Sequence, residues 1–149
     1  MKKLKMFIAA AAAALMLTAC GDTSSKIDFT MPDSPTEFNL TTVADPADET
    51  KSYAAIEYNG KTYVQFGILN GELTQSDVGP RLGYVVQDDV KIEDIGIFPL
   101  TFDADQNYLI SLDDKGIMQN NTIFRNSETV GNDIEIPSFI ESGNFDYWK

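Results

Sequence analysis

The chain has 149 residues, of which 23 are acidic and 11 basic, and it contains one cysteine and no histidine. Its formal net charge of −12 repels phosphate backbones, so nucleic acid is not an expected partner. The absence of histidine excludes serine–histidine and cysteine–histidine nucleophile pairs and removes the commonest transition-metal ligand.

Residues 1–19 have the layout of a secretory signal peptide. Lys2, Lys3 and Lys5 form a positively charged start, and every residue from 6 to 17 is apolar. This run is shorter than the roughly 20 apolar residues that a membrane-spanning helix needs. We therefore expect export of the chain and loss of this segment from the mature protein.

The sequence Leu17-Thr18-Ala19-Cys20 resembles the lipobox of bacterial lipoproteins, in which leucine and two small residues precede a cysteine. The resemblance implies that a diacylglyceryl group is added to the Cys20 sulfur and that cleavage makes Cys20 the first mature residue. Two acyl chains anchor a protein stably to a membrane, whereas one gives only marginal binding. The expected location is the extracytoplasmic face of the cell membrane. The alternative is a free thiol buried in an ordinary N-terminal helix.

Residues 20–51 are predicted to comprise the lipidated cysteine and a flexible acidic tether. This stretch is rich in proline, serine, threonine and acidic residues, and its apolar residues follow no period. About 30 residues of such a chain span about 30 Å on average, which would lift a domain clear of the membrane. One part, from Phe38 to Val43, is apolar and β-branched enough to form an edge strand.

Residues 52–149 are predicted to form a small mainly-β domain, either an antiparallel sandwich or an open barrel with little helix. Asn59-Gly60 lies between two β-leaning runs and is a strong hairpin signal, because a type I′ turn needs positive φ at both central residues. A two-residue loop pairs Tyr58 with Lys61 and Ala55 with Val64.

In this register the predicted core face consists of Tyr53, Ala55, Val64 and Phe66. Ile56 and Tyr63 are paired on the opposite face, where we expect them to need partial cover or to be exposed.

Further elements are predicted downstream of the hairpin. A single helical turn is expected near Thr74 to Val78, and the aromatic tail from residue 144 to residue 149 is expected to pack on the domain. The predicted strands are Gly83 to Asp89, Ile95 to Phe102, Asn107 to Leu112 and Asp133 to Ile140, and another strand is expected after the Asp113–Gly116 turn.

Short sequence segments of the domain also resemble those of known families. The order of its YNGKTYV, LGYV and NYLISL segments is similar to that of uncharacterised small lipoproteins of Gram-positive bacteria, a resemblance that implies no activity. The string NGKTYV alone resembles a hairpin of the copper amine oxidase N-terminal-like domain.

Asp103, Asp105 and Asn107 alternate as at the start of an EF-hand calcium loop. That loop requires glycine at its sixth position and glutamate at its twelfth, whereas this chain has Tyr108 and Asp114 there. We therefore predict an acidic turn between strands, with no metal ligands and no cofactor.

Other acidic and aromatic residues allow a functional and a structural interpretation. The acidic residues Asp88, Asp89, Glu93 and Asp94 flank strands and are expected to be solvated, although paired carboxylates also occur in glycosidases. Three aromatic residues, Tyr58, Tyr63 and Trp148, are the best candidates for an exposed sugar-binding platform, but a domain without disulfides favours placing aromatic residues in its core.

The sequence favours a non-enzymatic binding or envelope-associated domain anchored to the membrane through Cys20. One alternative is an inhibitor or immunity-type lipoprotein whose acidic surface blocks a cationic enzyme or peptide. The other is a small hydrolase that uses carboxylates. No residue is assigned a catalytic role, and a cationic protein or peptide is the partner class that the charge favours.

Overall fold

The computed structural model describes residues 26–116 and 121–149, and the predictions for residues 1–19 and for Cys20 lie outside this part of the chain. The described residues contain nine strands and three short 3-10 turns, so the mainly-β prediction is confirmed. The strands are β1 (Thr36–Asn39), β2 (Thr41–Ala44), β3 (Ser52–Tyr58), β4 (Lys61–Leu69), β5 (Gly83–Gln87), β6 (Val90–Pro99), β7 (Tyr108–Asp113), β8 (Thr122–Asn126) and β9 (Ile140–Ser142). None of the described residues belongs to a helix with the length and hydrophobicity needed to cross a bilayer.

All nine strands belong to one sheet that curls into a nearly closed barrel. Its strand order is β1-β5-β6-β7-β8-β4-β3-β2, with β9 added beside β4. Only Leu40 separates β1 from β2, yet β1 pairs in parallel with β5 while β2 pairs antiparallel with β3. A single extended segment therefore bridges the two ends of the strand order.

The position of β1 and β2 corrects the predicted boundary between tether and domain at residue 52. Phe38 in β1 is completely buried, and Ile27 and Phe29 pack against the core. The prolines of this stretch precede β1 or follow β2 and do not interrupt either strand, so both strands can pair with the sheet. The expected strand from Phe38 to Val43 thus exists, but as two strands that close the barrel.

The predicted hairpin between β3 and β4 is confirmed. Asn59 and Gly60 have φ values of 50° and 75°, as a type I′ turn requires, and Ala55 pairs with Val64. A second two-residue turn, Asp88-Asp89, joins β5 to β6, so the strand predicted up to Asp89 ends two residues earlier. Aspartate is among the few non-glycine residues that adopt positive φ with some frequency.

Both faces of the β3–β4 hairpin are buried. Ile56 and Tyr63 point into the barrel and are 0% and 1% exposed, so the expectation of partial cover or exposure is wrong. They join an inner core whose other members are Phe38, Val85, Ile97, Leu109 and Phe124. The reason is the closure of the sheet around them, which brings strands distant in sequence over this face.

The predicted core face of the hairpin lies on the outside of the barrel and is covered by other segments. Tyr53, Ala55 and Val64 pack against Tyr147 from the C-terminal tail, which confirms that the tail docks on the domain. Phe66 belongs to a second outer cluster that also contains Phe98, Tyr108 and Ile110.

The remaining predicted elements are found with changed ends. The predicted turn near Thr74 is a 3-10 turn at Gln75–Asp77, and β6 ends at Pro99 instead of continuing to Phe102. The strand predicted from Asp133 to Ile140 is wrong. Residues 133–139 form no strand, and β9 begins at Ile140.

Candidate ligand-binding pocket in the barrel

One end of the barrel contains a cavity of about 320 Å³, which we call the barrel pocket. Its volume lies at the small end of the range for ligand-binding cavities, about 300–1,000 Å³, and barrel mouths are a preferred place for them. The lining comes from strands β3 to β8 and from the residue between β1 and β2. The lining residues are Leu40, Ala54, Gln65, Val85, Gln87, Ile92, Ile95, Ser111, Thr122 and Phe124.

The pocket exists because small side chains occupy the outermost inward positions of the strands. Along a strand, every second side chain faces the same side of the sheet. On β3 and β7 the large inward residues Ile56 and Leu109 fill the barrel, and the next inward residues towards the pocket are only Ala54 and Ser111. These small side chains do not fill the interior, so a cavity remains at this end of the barrel.

A β-bulge shapes one wall of the pocket. Tyr84 pairs with Gly96, but the next residue of β5, Val85, pairs with Ile92, so β6 contains extra residues at this point. A bulge bends the strand and redirects its side chains. As a result, Ile92 and Ile95 both line the pocket, although they are three positions apart.

The lining contains no charged residue. The Ser111 hydroxyl is already engaged, because it accepts the backbone N–H of Thr122 at 3.1 Å and donates to the carbonyl of Thr122 at 3.3 Å. Among the described residues, the side-chain amides of Gln65 and Gln87 have no hydrogen-bond partner. The pocket therefore offers an apolar wall and two neutral amides, which suits an apolar ligand with few hydrogen-bonding groups.

Four aspartates lie at the pocket end of β5, β6 and β7, and we call them the acidic rim: Asp88, Asp89, Asp94 and Asp114. Asp88 and Asp89 follow the lining residue Gln87 and are exposed, as predicted for solvated strand ends. Lys115 forms an ion pair with Asp94 at 2.9 Å, and this hydrogen bond raises the pKa of the lysine. The rim nevertheless remains negative overall.

A second cavity of about 330 Å³, the acidic cleft, is lined by Asp103, Asp105 and Glu135 together with Phe102 and Tyr108. Asp103 is only 8% exposed, and its Oδ2 accepts the backbone N–H of Tyr108 at 2.7 Å. Asp103 therefore stabilises the turn that leads into β7, in agreement with the predicted acidic turn. No group of three or more potential metal ligands is found among the described residues.

Arg125 is a buried charged residue that the sequence analysis did not identify. Its guanidinium lies 5.1 Å from the ring centre of Phe66 and 4.8 Å from that of Trp148. It donates to the Thr129 hydroxyl at 2.8 Å and to the carbonyls of Thr129 and Asn132. Burial lowers the pKa of Arg125. Because all these partners are neutral protein groups, we assign Arg125 a structural role.

The three aromatic candidates for a sugar-binding platform are used in packing. Tyr63 is buried, its hydroxyl donates to the carbonyl of Gln106 at 2.8 Å, and burial raises its pKa to about 12. Tyr58 contacts Phe38, and the Trp148 indole N–H donates to the carbonyl of Gln65 at 2.8 Å. These side chains do not form one exposed surface.

Comparison with known proteins does not assign the chain to a family. No family model matches it, and neither a curated protein nor a solved structure is significantly similar. Only the residues of the chain and their geometry therefore indicate its function.

Proposed function

We propose that this protein is a lipid-anchored, extracytoplasmic binding domain that holds a small, uncharged and mainly apolar ligand in the barrel pocket. The supporting observation is the composition of the lining, which has no charged residue in a chain that is 23% charged. Transfer of apolar ligand surface from water into such a cavity is favourable by about 25 cal/mol per Å².

The anchoring part of the proposal depends on the N-terminal sequence. A signal-peptide layout followed by Leu17-Thr18-Ala19-Cys20 supports acylation of Cys20 after export. Stable attachment then follows from two acyl chains. The negative charge of the chain favours solubility of a domain that stands at a membrane surface.

A carboxylate-based hydrolase is the second candidate, because the acidic cleft places exposed Asp105 and Glu135 beside the exposed aromatic ring of Phe102. The binding function is better supported, since Asp103 has a structural hydrogen bond and the barrel pocket requires no catalytic group. Hydrolysis of a polysaccharide that is lost in both Asp105→Asn and Glu135→Gln would favour the hydrolase.

Titration with the neutral fluorophore N-phenyl-1-naphthylamine tests the binding function. We expect saturable enhancement of its fluorescence by residues 20–149 carrying Cys20→Ser, called the Cys20→Ser chain, which keeps the pocket, lacks the apolar run of residues 6–17 and avoids detergent. Adding Ala54→Leu fills the pocket from β3 and should weaken binding by about tenfold or more, equivalent to about 1.4 kcal/mol. Ala47→Leu is the matched control, because Ala47 is exposed and lies outside the pocket.

Two results would contradict the proposal. One is the absence of saturable binding to the Cys20→Ser chain. The other is equal affinity in the Ala54→Leu and Ala47→Leu variants, provided that both melt cooperatively, because the fluorophore would then bind elsewhere.

A further inference from the structure

We infer that the occupant of the barrel pocket is the hydrocarbon chain of a single-chain amphiphile with an uncharged or cationic head group, and that the pocket opens towards the membrane that holds Cys20. This inference deepens the proposed function and rests on its lipid anchor. Three observations support it: the place where the N-terminal segment meets the barrel, the length of chain before that place, and the charge around the mouth.

Near the start of the described chain, Ile27 and Phe29 pack on the outer wall of the barrel. Ile27 and Phe29 line a shallow depression together with Leu112 and Asn121. Leu112 directly follows the pocket-lining residue Ser111, and Asn121 directly precedes the pocket-lining residue Thr122. Ile27 therefore lies against the outer side of the wall whose inner side lines the pocket, while Phe29 also packs on Phe98 farther along β6.

Arg81 fixes this part of the N-terminal segment. Its Nη1 donates to the carbonyl of Phe29 at 2.8 Å, and its Nη2 donates to the carbonyl of Glu93. Glu93 lies in the bulged part of β6, between the two isoleucines that line the pocket. Arg81 is 8% exposed, and these two partly buried hydrogen bonds hold the N-terminal segment against the bulged part of β6.

The connection from this segment to the proposed anchor is short. Cys20 precedes Lys26 by six residues, so their α-carbons are at most about 20 Å apart in any conformation. A distance of about 30 Å, expected for a tether that continued to residue 51, is therefore not available. Lipid on Cys20 would thus hold the outer wall near Ile27 close to the bilayer, which favours an orientation with the mouth end towards the membrane.

The pocket and its rim select the chemistry of the ligand. A carboxylate or phosphate placed inside would lose its hydration without meeting a cation, which is unfavourable. The acidic rim adds repulsion of anions at the mouth. A volume of about 320 Å³ is at the small end of the range for ligand-binding cavities, which favours one hydrocarbon chain over the two chains of a diacyl lipid.

Competition between amphiphiles with one chain length tests the head-group preference. Dodecanol below its solubility limit, and dodecyltrimethylammonium and dodecanoate below their micelle concentrations, compete with N-phenyl-1-naphthylamine for the Cys20→Ser chain. We expect the first two to displace the probe and dodecanoate to be about tenfold weaker at low salt, with the difference shrinking as salt screens the rim.

Removing charge from the rim provides the matched comparison. Asp88→Asn combined with Asp89→Asn keeps residues that tolerate positive φ and should reduce the discrimination against dodecanoate. Asp105→Asn combined with Glu135→Gln removes the same charge from the acidic cleft and should leave the discrimination unchanged.

The outcomes separate this inference from the proposed function. Probe binding without displacement by any of the three amphiphiles would overturn the inference and leave a pocket for another apolar ligand. Equal displacement by dodecanoate and dodecanol would overturn the head-group preference. Absence of probe binding would overturn the proposed function itself.

The orientation is tested separately on the acylated full chain bound to vesicles. Val90 and Val130 are exposed valines, 61% and 38%. Val90 is the first residue of β6, at the mouth end, whereas Val130 follows the opposite end of β8. A fluorophore on Val90→Cys, at the mouth end, should be quenched by a spin label on the lipid head groups more strongly than one on Val130→Cys. Equal quenching or the reverse order, in protein whose acylation is verified by mass spectrometry, would overturn the membrane-facing orientation.

Discussion

Four residues in the two hairpin turns of this barrel adopt positive φ, and only one of them is glycine. Asn59-Gly60 matches the sequence that type I′ turns prefer. Asp88-Asp89 reaches the same conformation with a β-carbon on both residues, at φ values of 51° and 64°. An L-residue in this region costs roughly 1–2 kcal/mol, so the two turns respond differently to substitution.

Gly60→Val should destabilise the domain. A β-carbon on Gly60 would have no atom within 4 Å, so the effect comes from the backbone conformation at φ 75° and not from a clash. We expect a loss of about 1–2 kcal/mol. For a domain of this size that corresponds to a fall in melting temperature of about 4–8 °C per kcal/mol, measurable by circular dichroism.

Asn59→Gly is the control for this prediction and should melt within a few degrees of wild type, because glycine also adopts positive φ. A Gly60→Val variant with the melting temperature of wild type would mean that the turn does not adopt the I′ conformation in solution.

Asp89→Gly should stabilise the domain, because glycine removes the strain of a β-carbon at φ 64°. We expect a gain of up to about 1 kcal/mol, reduced by the greater freedom of glycine in the unfolded chain. Asp89→Asn removes the same charge but keeps the β-carbon. If both variants gained equally in a thermal melt, relief of charge repulsion and not relief of strain would be the cause.

Cys20→Ser tests the proposed anchor at a single atom. Wild-type protein should incorporate labelled acyl chains and fractionate with membranes, because two chains give stable attachment. The variant has no thiol and should lose the label, and it should be released or accumulate as the uncleaved precursor. Unlabelled wild-type protein found entirely in the medium would contradict this prediction.

At the scale of the structural elements, docking of the C-terminal tail involves ion pairs as well as the packing of its aromatic side chains. Asp146 lies between Lys149 and Lys51, and each ammonium group is 2.6 Å from one of its carboxylate oxygens. These two hydrogen bonds lower the pKa of Asp146 from 3.8 to about 2. A lowered pKa in the folded state means that the pairing stabilises the fold above pH 3.8 and that this contribution is lost as the pH falls towards about 2.

Asp146→Asn should therefore lower the melting temperature near neutral pH, and the difference from wild type should disappear as the pH falls through this window. Because all three side chains are partly exposed, we expect a modest effect that decreases with added salt. A difference that persists unchanged at the acidic end would show that the amide disturbs packing of the tail and not the ion pairs.

Some strands can be predicted from the sequence and others cannot. The difference is whether the residues that determine the pairing are close together or far apart in the sequence. The β3–β4 hairpin and its register follow from a local turn signal and the alternation of adjacent residues. The parallel pairing of β1 with β5 joins Thr36 to Gly83, and no local pattern specifies it. The Asp88-Asp89 turn has no glycine, so the usual hairpin signal is missing.

The barrel pocket was also beyond sequence analysis, for a related reason. Ala54, Ser111 and Thr122 are unremarkable in their own strands, and they form a cavity only because strand order brings their small side chains to one end of the barrel. The acidic turn at Asp103, by contrast, was predictable because residues close in sequence determine it.

At the scale of the whole molecule, closure of the barrel connects stability to the proposed site. The segment from Thr36 to Ala44 supplies β1, β2 and the fully buried Phe38, and its Leu40 lines the pocket. Loss of this segment would both expose the inner core and open one wall of the pocket.

Truncation should therefore distinguish this barrel from a domain that begins after a long tether. A chain that starts at Lys26 keeps all nine strands and should melt cooperatively and bind N-phenyl-1-naphthylamine like the Cys20→Ser chain. A chain that starts at Ser52 lacks β1 and β2, and the loss of buried Phe38 alone corresponds to about 3–5 kcal/mol, a large part of the stability of a small domain. We expect it to melt without cooperativity.

Limited proteolysis of the full chain should leave a fragment that begins before Ile27, because β1 and β2 belong to the folded barrel. A stable, cooperatively folded fragment beginning near Ser52 would show that β1 and β2 are dispensable.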